Sequence, residues 1–138
     1  MHITIIDGQG GQLGAQLVKE IRVQFPQAEI TAVGTNAVAT AAMLKAGASC
    51  GATGENPVIV ACRKAEVIIG PIGIVIADSL LGEVTESMAL AVSRAQATRI
   101  LIPVNKCDNL VAGVTNLNMG ALIADAVEKL RGIVVCST

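Results

Sequence analysis

The chain has 138 residues, ten basic and eleven acidic side chains and a net charge of −1, with no basic cluster; the electrostatic footprint of a nucleic-acid binder is missing. Apolar residues make up 52% and charged residues 15%, and the single aromatic, Phe25, removes base stacking as a mode of binding. That length suits one domain with one core, and so little charge on so small a body leads us to expect a homo-oligomer that hides an apolar face.

The pattern alternates strand and helix throughout. Strand one is read over Ile3 to Ile6, followed by the glycine-rich stretch Asp7-Gly8-Gln9-Gly10-Gly11-Gln12-Leu13-Gly14 and a helix from about Gly11 to Gln24, with Leu17, Ile21 and Phe25 at fourfold spacing. Pro26 stops it. Strand two covers Glu29 to Val33. Helix two starts after Gly34-Thr35-Asn36, where Thr35 or Asn36 serves as N-cap, and ends at Gly47. A short strand three is expected at Ala48 to Cys50, and helix three opens with Asn56 as N-cap and Pro57 in first position, reaching Lys64. Strand four, Glu66 to Ile69, stops at Gly70-Pro71. The segment Ile72 to Val84 is open between a strand, a hairpin arm and a short helix capped by Asp78. Thr85 reads as the N-cap of helix four, with Met88, Ala91, Val92 and Ala95 inward. Strand five is Arg99 to Val104. Helix five carries the stripe Met119, Leu122, Ile123, Ala126, Val127 and Leu130, and Ile133 to Val135 reads as a last strand. This alternation predicts a Rossmann-like three-layer α/β/α sandwich with a mostly parallel sheet.

Ligands in such sheets bind at the carboxyl ends of the strands, which gathers the loops 7–11, 34–36, 70–73 and 104–108 at one edge. The first of them has the construction of an anion-binding βα turn, in which glycines admit a phosphate and the helix N-terminus offers unpaired N–H groups. Its Gly8-x-x-Gly11-x-x-Gly14 spacing resembles the fingerprint of extended short-chain dehydrogenases; Leu13 stands where the commoner G-x-G-x-x-G places its last glycine. Gly8, Gln9, Gly10, Gly11, Gln12 and Gly14 are therefore candidate cofactor-binding residues, the backbone N–H groups of Gln9 to Gln12 being the expected phosphate contacts. The competing reading is a tight turn that packs strand on helix.

The end of strand two lacks the Asp or Glu that usually receives a ribose 2′-hydroxyl. Thr35 and Asn36 there fit a 2′-phosphate, another nucleotide, or simply a helix cap. Gly70, Pro71 and Gly73 allow close backbone approach at the same edge. Asn105-Lys106-Cys107-Asp108 resembles the guanine-reading motif of GTPases, but no phosphate cradle with its lysine occurs in the chain. The weak catalytic candidates are Asp78, Glu83 and Asn105. There is no tyrosine, no G-x-S-x-G elbow, and His2, the only histidine, lies at the wrong end of strand one.

Cys50, Cys62, Cys107 and Cys136 form no Cys-x-x-Cys pair, so no metal site is expected and reduced thiols are. The first residues lack a basic n-region, and the most apolar run, Val67 to Ala77, is interrupted by Gly70, Pro71 and Gly73 and falls short of the ~20 residues of a membrane span. A cytoplasmic chain is expected.

The runs Ile6-Asp7-Gly8-Gln9-Gly10-Gly11, Ala32-Val33-Gly34-Thr35-Asn36, Gly51-Ala52-Thr53-Gly54-Glu55-Asn56, Gly70-Pro71-Ile72-Gly73 and Ile100-Leu101-Ile102-Pro103-Val104-Asn105 resemble a family of small bacterial proteins, common in anaerobic Firmicutes and catalogued as a domain of unknown function. The resemblance covers nearly the whole chain and brings no activity. Together these features lead us to expect a binding protein for NAD(P) or another nucleotide, in a sensor or accessory role. The alternatives are a small enzyme acting on a phosphorylated or acyl metabolite, and a structural oligomer whose glycines serve packing alone.

Overall fold

Two of the strands are buried on both faces because helices cover both sides of the sheet. In β1 (His2–Asp7) every residue after His2 is buried, and β4 (Val67–Pro71) is buried throughout. With β2 (Glu29–Gly34), β3 (Cys50–Thr53) and β5 (Thr98–Ile102) they make one parallel sheet in the order β3-β2-β1-β4-β5. The computed structural model describes residues 1–104, 109–115 and 118–136.

Among the described residues five α-helices flank the sheet: α1 (Gln12–Gln24), α2 (Ala37–Lys45), α3 (Glu55–Lys64), α4 (Glu86–Arg94) and α5 (Met119–Cys136). Side chains alternate across each strand, so two cores form. Ile3, Ile5, Ile69 and Ile102 face Leu17 and Ile21 of α1, Met43 of α2 and Val127 and Leu130 of α5. Ile6, Val33 and Ile68 face Val58 and Cys62 of α3 and Met88 and Val92 of α4. The expected three-layer Rossmann-like plan is therefore present. The chain changes direction across the sheet between β1 and β4, which makes their carboxyl ends the topological switch point.

Two polar side chains, half-buried Arg22 and buried Thr40, fix the connections. Arg22, in the last turn of α1, donates to the carbonyls of Pro26 (3.2 Å), Ala28 (2.7 Å) and Gly47 (3.1 Å) and to the Ser49 hydroxyl (3.1 Å), tying α1 to the segments before β2 and β3. The Thr40 hydroxyl of α2 accepts the Gly34 N–H (3.1 Å) and meets Thr53 Oγ1 (2.8 Å), drawing the ends of β2 and β3 together.

Several expected boundaries are corrected. β3 lies at Cys50–Thr53, not at Ala48 to Cys50. Its Gly51 fits against Leu44 and Thr40 of α2, where a Cβ would come within 3.1 Å of Leu44 and Thr40 atoms, so packing sets the register rather than apolar content. Helix three begins at Glu55, with Gly54 (φ 108°) as its N-cap, two residues ahead of the Asn56-Pro57 expectation. Ile133 to Val135 is helical. Ile133 and Val134 follow Leu130 at i+3 and i+4 and pack on the α1/α5 core, and that burial overrides the strand preference of β-branched residues. Between β4 and α4, residues Ile72–Val75 form a 3-10 turn. After it Asp78 (φ 66°), Leu80 (55°), Leu81 (57°) and Gly82 (89°) adopt left-handed backbone, so this segment is neither strand nor hairpin and Asp78 caps no helix. Thr85 does cap α4, accepting the Met88 N–H at 3.1 Å.

Candidate functional site

At the end of β1 the buried Asp7 carboxylate buckles the glycine-rich loop onto α1. One oxygen accepts the Gly8 N–H (2.8 Å) and the other the Gly14 N–H (2.7 Å). Gly11, the N-cap of α1, has no side chain to serve the first-turn amides, and Asp7 serves one of them from the strand. Burial pushes the Asp7 carboxyl up from its ordinary value, against the pull of these two N–H donors and with a further push from Glu83. Asp7 is thus committed to the loop.

The glycines of this loop divide into two kinds. A Cβ on Gly11 (φ 73°) would lie 2.7 Å from Ala39 Cα, one on Gly14 would lie 2.6 Å from Met43 Sδ, and one on Gly8 would lie 2.5 Å from Thr35 Oγ1. These three let α1, α2 and the loop after β2 close together. Gly10 is different: it is exposed, its φ is not left-handed, and its nearest neighbour would be its own Gln12 side chain at 3.9 Å.

The backbone donors divide in the same way. The Gly11 N–H goes to the Gly8 carbonyl (3.0 Å) and the Gln9 N–H to Glu83 Oε1 (2.9 Å). The expected phosphate contacts from Gln9 and Gly11 are therefore engaged within the protein. Among the described residues the amides of Gly10, Gln12 and Leu13 have no acceptor. All three residues line a cavity of about 190 Å³ whose far wall is Val104 and Met119. A second cavity of about 430 Å³, among Ile72, Leu101, Pro103 and Leu122, lies at the same carboxyl edge.

Glu83, a weak catalytic candidate in the sequence, gathers donors from two loops in the structure. Its Oε1 accepts from the Gln9 amide, from Thr35 Oγ1 (2.7 Å) and from Asn36 Nδ2 (2.7 Å). Asn36 also caps α2, its Oδ1 accepting the Ala39 N–H (2.9 Å), while its Nδ2 reaches the Gln9 carbonyl (2.9 Å). Thr35 and Asn36, which the sequence leaves open between a 2′-phosphate, another nucleotide and a helix cap, thus turn their side-chain donors onto a carboxylate, and Asn36 is also the cap. The acid absent from the end of β2 arrives from 48 residues downstream, carried by the left-handed turn.

Partial desolvation pushes the Glu83 carboxyl up, but the Thr35, Gln9 and Asn36 donors together outweigh it and hold it below the ordinary glutamate value. A carboxyl lowered in the folded state adds stability above the unfolded value of 4.5 and loses it as pH falls through the folded one. We expect Glu83→Gln to melt below the wild type at pH 6 to 7 and the gap to close as pH drops below 4.5, measured by circular dichroism. A gap that persists unchanged in acid would show that the ionised form is not what the three donors hold. Asp7 carries the opposite sign, its ionised form costing stability as pH rises from 3.8.

The other candidates are less convergent. Gly70 and Pro71 are strand residues, paired with Leu101 and Ile102 of β5, and a Cβ on Gly70 would strike the Ile6 carbonyl of β1. Gly73 accepts the buried Ser79 hydroxyl at its carbonyl and supports the turn. Asp78 is exposed and its N–H donates to the Val84 carbonyl (2.8 Å). Asn105 and the rest of the 105–108 motif lie outside the described residues. Among the described residues no group of three His, Cys, Asp or Glu side chains is placed to hold a metal, and no helix is long and apolar enough to cross a membrane. Cys62 is buried, with its thiol pushed up to about 11 by desolvation.

The chain belongs to the family described as a domain of unknown function (DUF3842), which matches residues 2–135. No curated protein matches it. Among solved structures it is similar to a dodecameric FMN-dependent UbiX-like decarboxylase from Escherichia coli O157:H7, with 14% identity, 94% of each chain covered and a TM-score of 0.46.

Proposed function

We propose that this chain is a nucleotide-binding protein, in a sensor or accessory role, whose ligand carries phosphate and ribose, as a NAD(P)-type dinucleotide does. The observation that carries the reading is Gly10, the loop glycine that no packing contact requires. It sits between a strand and a helix N-terminus, and with Gln12 and Leu13 it offers three amides that have no acceptor among the described residues. A phosphate seated there completes the first turn of α1 and lies at the positive end of its dipole. The larger apolar cavity beyond β5 suits the base or ring portion of such a ligand, since the loop cavity alone is smaller than the ~300 Å³ a drug-sized ligand needs.

The structure offers less to a catalytic reading. Asp78 is turned to solvent, and Glu83 is held as an anion by three donors, which suits an acceptor better than a group that trades protons near neutral pH. The direct test is native mass spectrometry of freshly purified protein, followed by thermal-shift titration with ADP, FMN, NADH and NADPH. A released ribonucleotide mass, or a melting rise with ADP, NADH or NADPH that grows with concentration, is the expected result, whereas a rise with FMN alone, which carries ribitol in place of ribose, would overturn the ribose part of the reading. No released nucleotide and no shift at millimolar ligand would overturn the proposal and favour the structural-oligomer reading.

A further inference from the structure

Glu83 has an oxygen that the fold does not use. Oε1 is saturated by the Gln9, Thr35 and Asn36 donors, whereas Oε2 has no donor among the described residues. The three donors belong to the loops after β1 and β2, so the carboxylate is clamped between the phosphate-binding turn and the end of β2. A ligand whose phosphate rests on Gly10 and whose sugar runs toward β2 meets this carboxylate next. A carboxylate oxygen accepts hydrogen bonds only, so it pairs with hydroxyl donors and repels a second anion.

On the reading given above, we infer that Glu83 is the ribose-reading residue of this site and selects a nucleotide with a free 2′-hydroxyl over one bearing a 2′-phosphate. Thr35 and Asn36 act through it. Their side-chain donors go to Oε1 and, for Asn36, also to the Gln9 carbonyl, which aims the carboxylate and leaves neither side chain to donate to a phosphate. Of the three uses the sequence leaves open for these two residues, the 2′-phosphate is the one this inference sets aside. The left-handed backbone at Leu80, Leu81 and Gly82 delivers the carboxylate, and Leu80 is buried beneath it against Gly8.

NADH and NADPH differ only in the 2′-phosphate, so titrating both into wild type and Glu83→Gln by calorimetry isolates the claim. The glutamine keeps an oxygen for the three donors and turns an amide donor outward. Wild type is expected to bind NADH at least ~10-fold tighter than NADPH, one charge-assisted hydrogen bond's worth, and Glu83→Gln to bring the two within ~3-fold by weakening NADH and strengthening NADPH. Equal wild-type affinities, or a ratio unchanged in Glu83→Gln, would overturn the inference and leave nucleotide binding standing. So would Glu83→Gln tightening both equally, which would make Glu83 an internal occupant of the anion site. If ADP binds and neither dinucleotide does, ADP against its 2′-phosphorylated analogue is the same comparison with the same outcomes; FMN binding without ADP or either dinucleotide would overturn the inference too, and binding of no nucleotide at all would remove the parent reading with it. If Glu83→Gln fails to fold, equal wild-type affinities still overturn the inference, and Glu83→Asp, which keeps the charge but draws it back, is expected to narrow the ratio.

Discussion

Gly11→Val is expected to lower the melting temperature by on the order of 10 °C, the largest loss of any single change in the glycine-rich loop. Two independent costs add. The backbone at Gly11 is left-handed (φ 73°), which a β-branched residue adopts at a cost of about 1–3 kcal/mol. The new Cβ would also lie 2.7 Å from Ala39 Cα and 3.0 Å from the Ala39 carbonyl oxygen. These are backbone atoms of a buried helical turn, so no rotamer change relieves the contact, and α1 and α2 must separate at a cost of about 1–3 kcal/mol. The sum, about 4 kcal/mol, is a large part of the 5–15 kcal/mol or so that holds a domain folded. Thermal denaturation followed by circular dichroism reads it directly. A melting point within ~2 °C of wild type would mean that the α1–α2 contact is slack and that Gly11 is a residue of convenience.

The parts of this molecule that were legible in the sequence are those set by local chemistry. The β1-loop-α1 unit shows itself because an apolar run, glycines and a 3.6-residue stripe follow in order. The cap of α4 shows itself in Thr85, and that of α2 is narrowed to Thr35 or Asn36, of which Asn36 is the cap, because a short polar side chain before a helix can serve its first amides. What was not legible depends on tertiary neighbours. β3 is an exposed edge strand of Cys, Gly, Ala and Thr, and only its ladder with Thr31–Gly34 defines it. Ile133 to Val135 carries strand-forming residues, yet the α1/α5 core takes them as the end of a helix. Gly70 looked like an edge glycine open to a ligand, but pairing with β5 carries the strand past it and β1 fills its empty side. Glu83 was the hardest to weigh. Its partners lie 74, 48 and 47 residues away, and it reaches them through left-handed leucines that propensity assigns to helix. The nearest local signal is Gly82, a turn residue just before an acid in an apolar stretch, and that alone names no partner.

Gly10→Asp, one residue from Gly11, is expected to do the reverse of Gly11→Val: leave the fold nearly intact and abolish the binding of phosphate-bearing ligands. The position tolerates a side chain, since φ is ordinary there and the nearest atom to a new Cβ is 3.9 Å away on the flexible Gln12. Melting should therefore fall by no more than a few degrees, as for other exposed sites where changes cost about 0.5 kcal/mol. The carboxylate, however, stands beside the three unclaimed amides and takes the place of an incoming phosphate. Two like charges about 4 Å apart near a protein surface repel by ~4 kcal/mol, and even half of that weakens binding about thirtyfold. With its own oxygens on the amides the aspartate also removes the donors the ligand needs, so the loss should reach on the order of 100-fold or more. Gly10→Ala separates size from charge: it should bind within about threefold of wild type if the cradle has room for a methyl group, and fail as Gly10→Asp does if the phosphate lies flat on the backbone. Isothermal titration with whichever nucleotide shifts the wild-type melting point measures all three proteins. Unchanged affinity in Gly10→Asp would place the ligand elsewhere and reduce the glycine-rich loop to what Gly8, Gly11 and Gly14 already make of it, a joint between β1, α1 and α2.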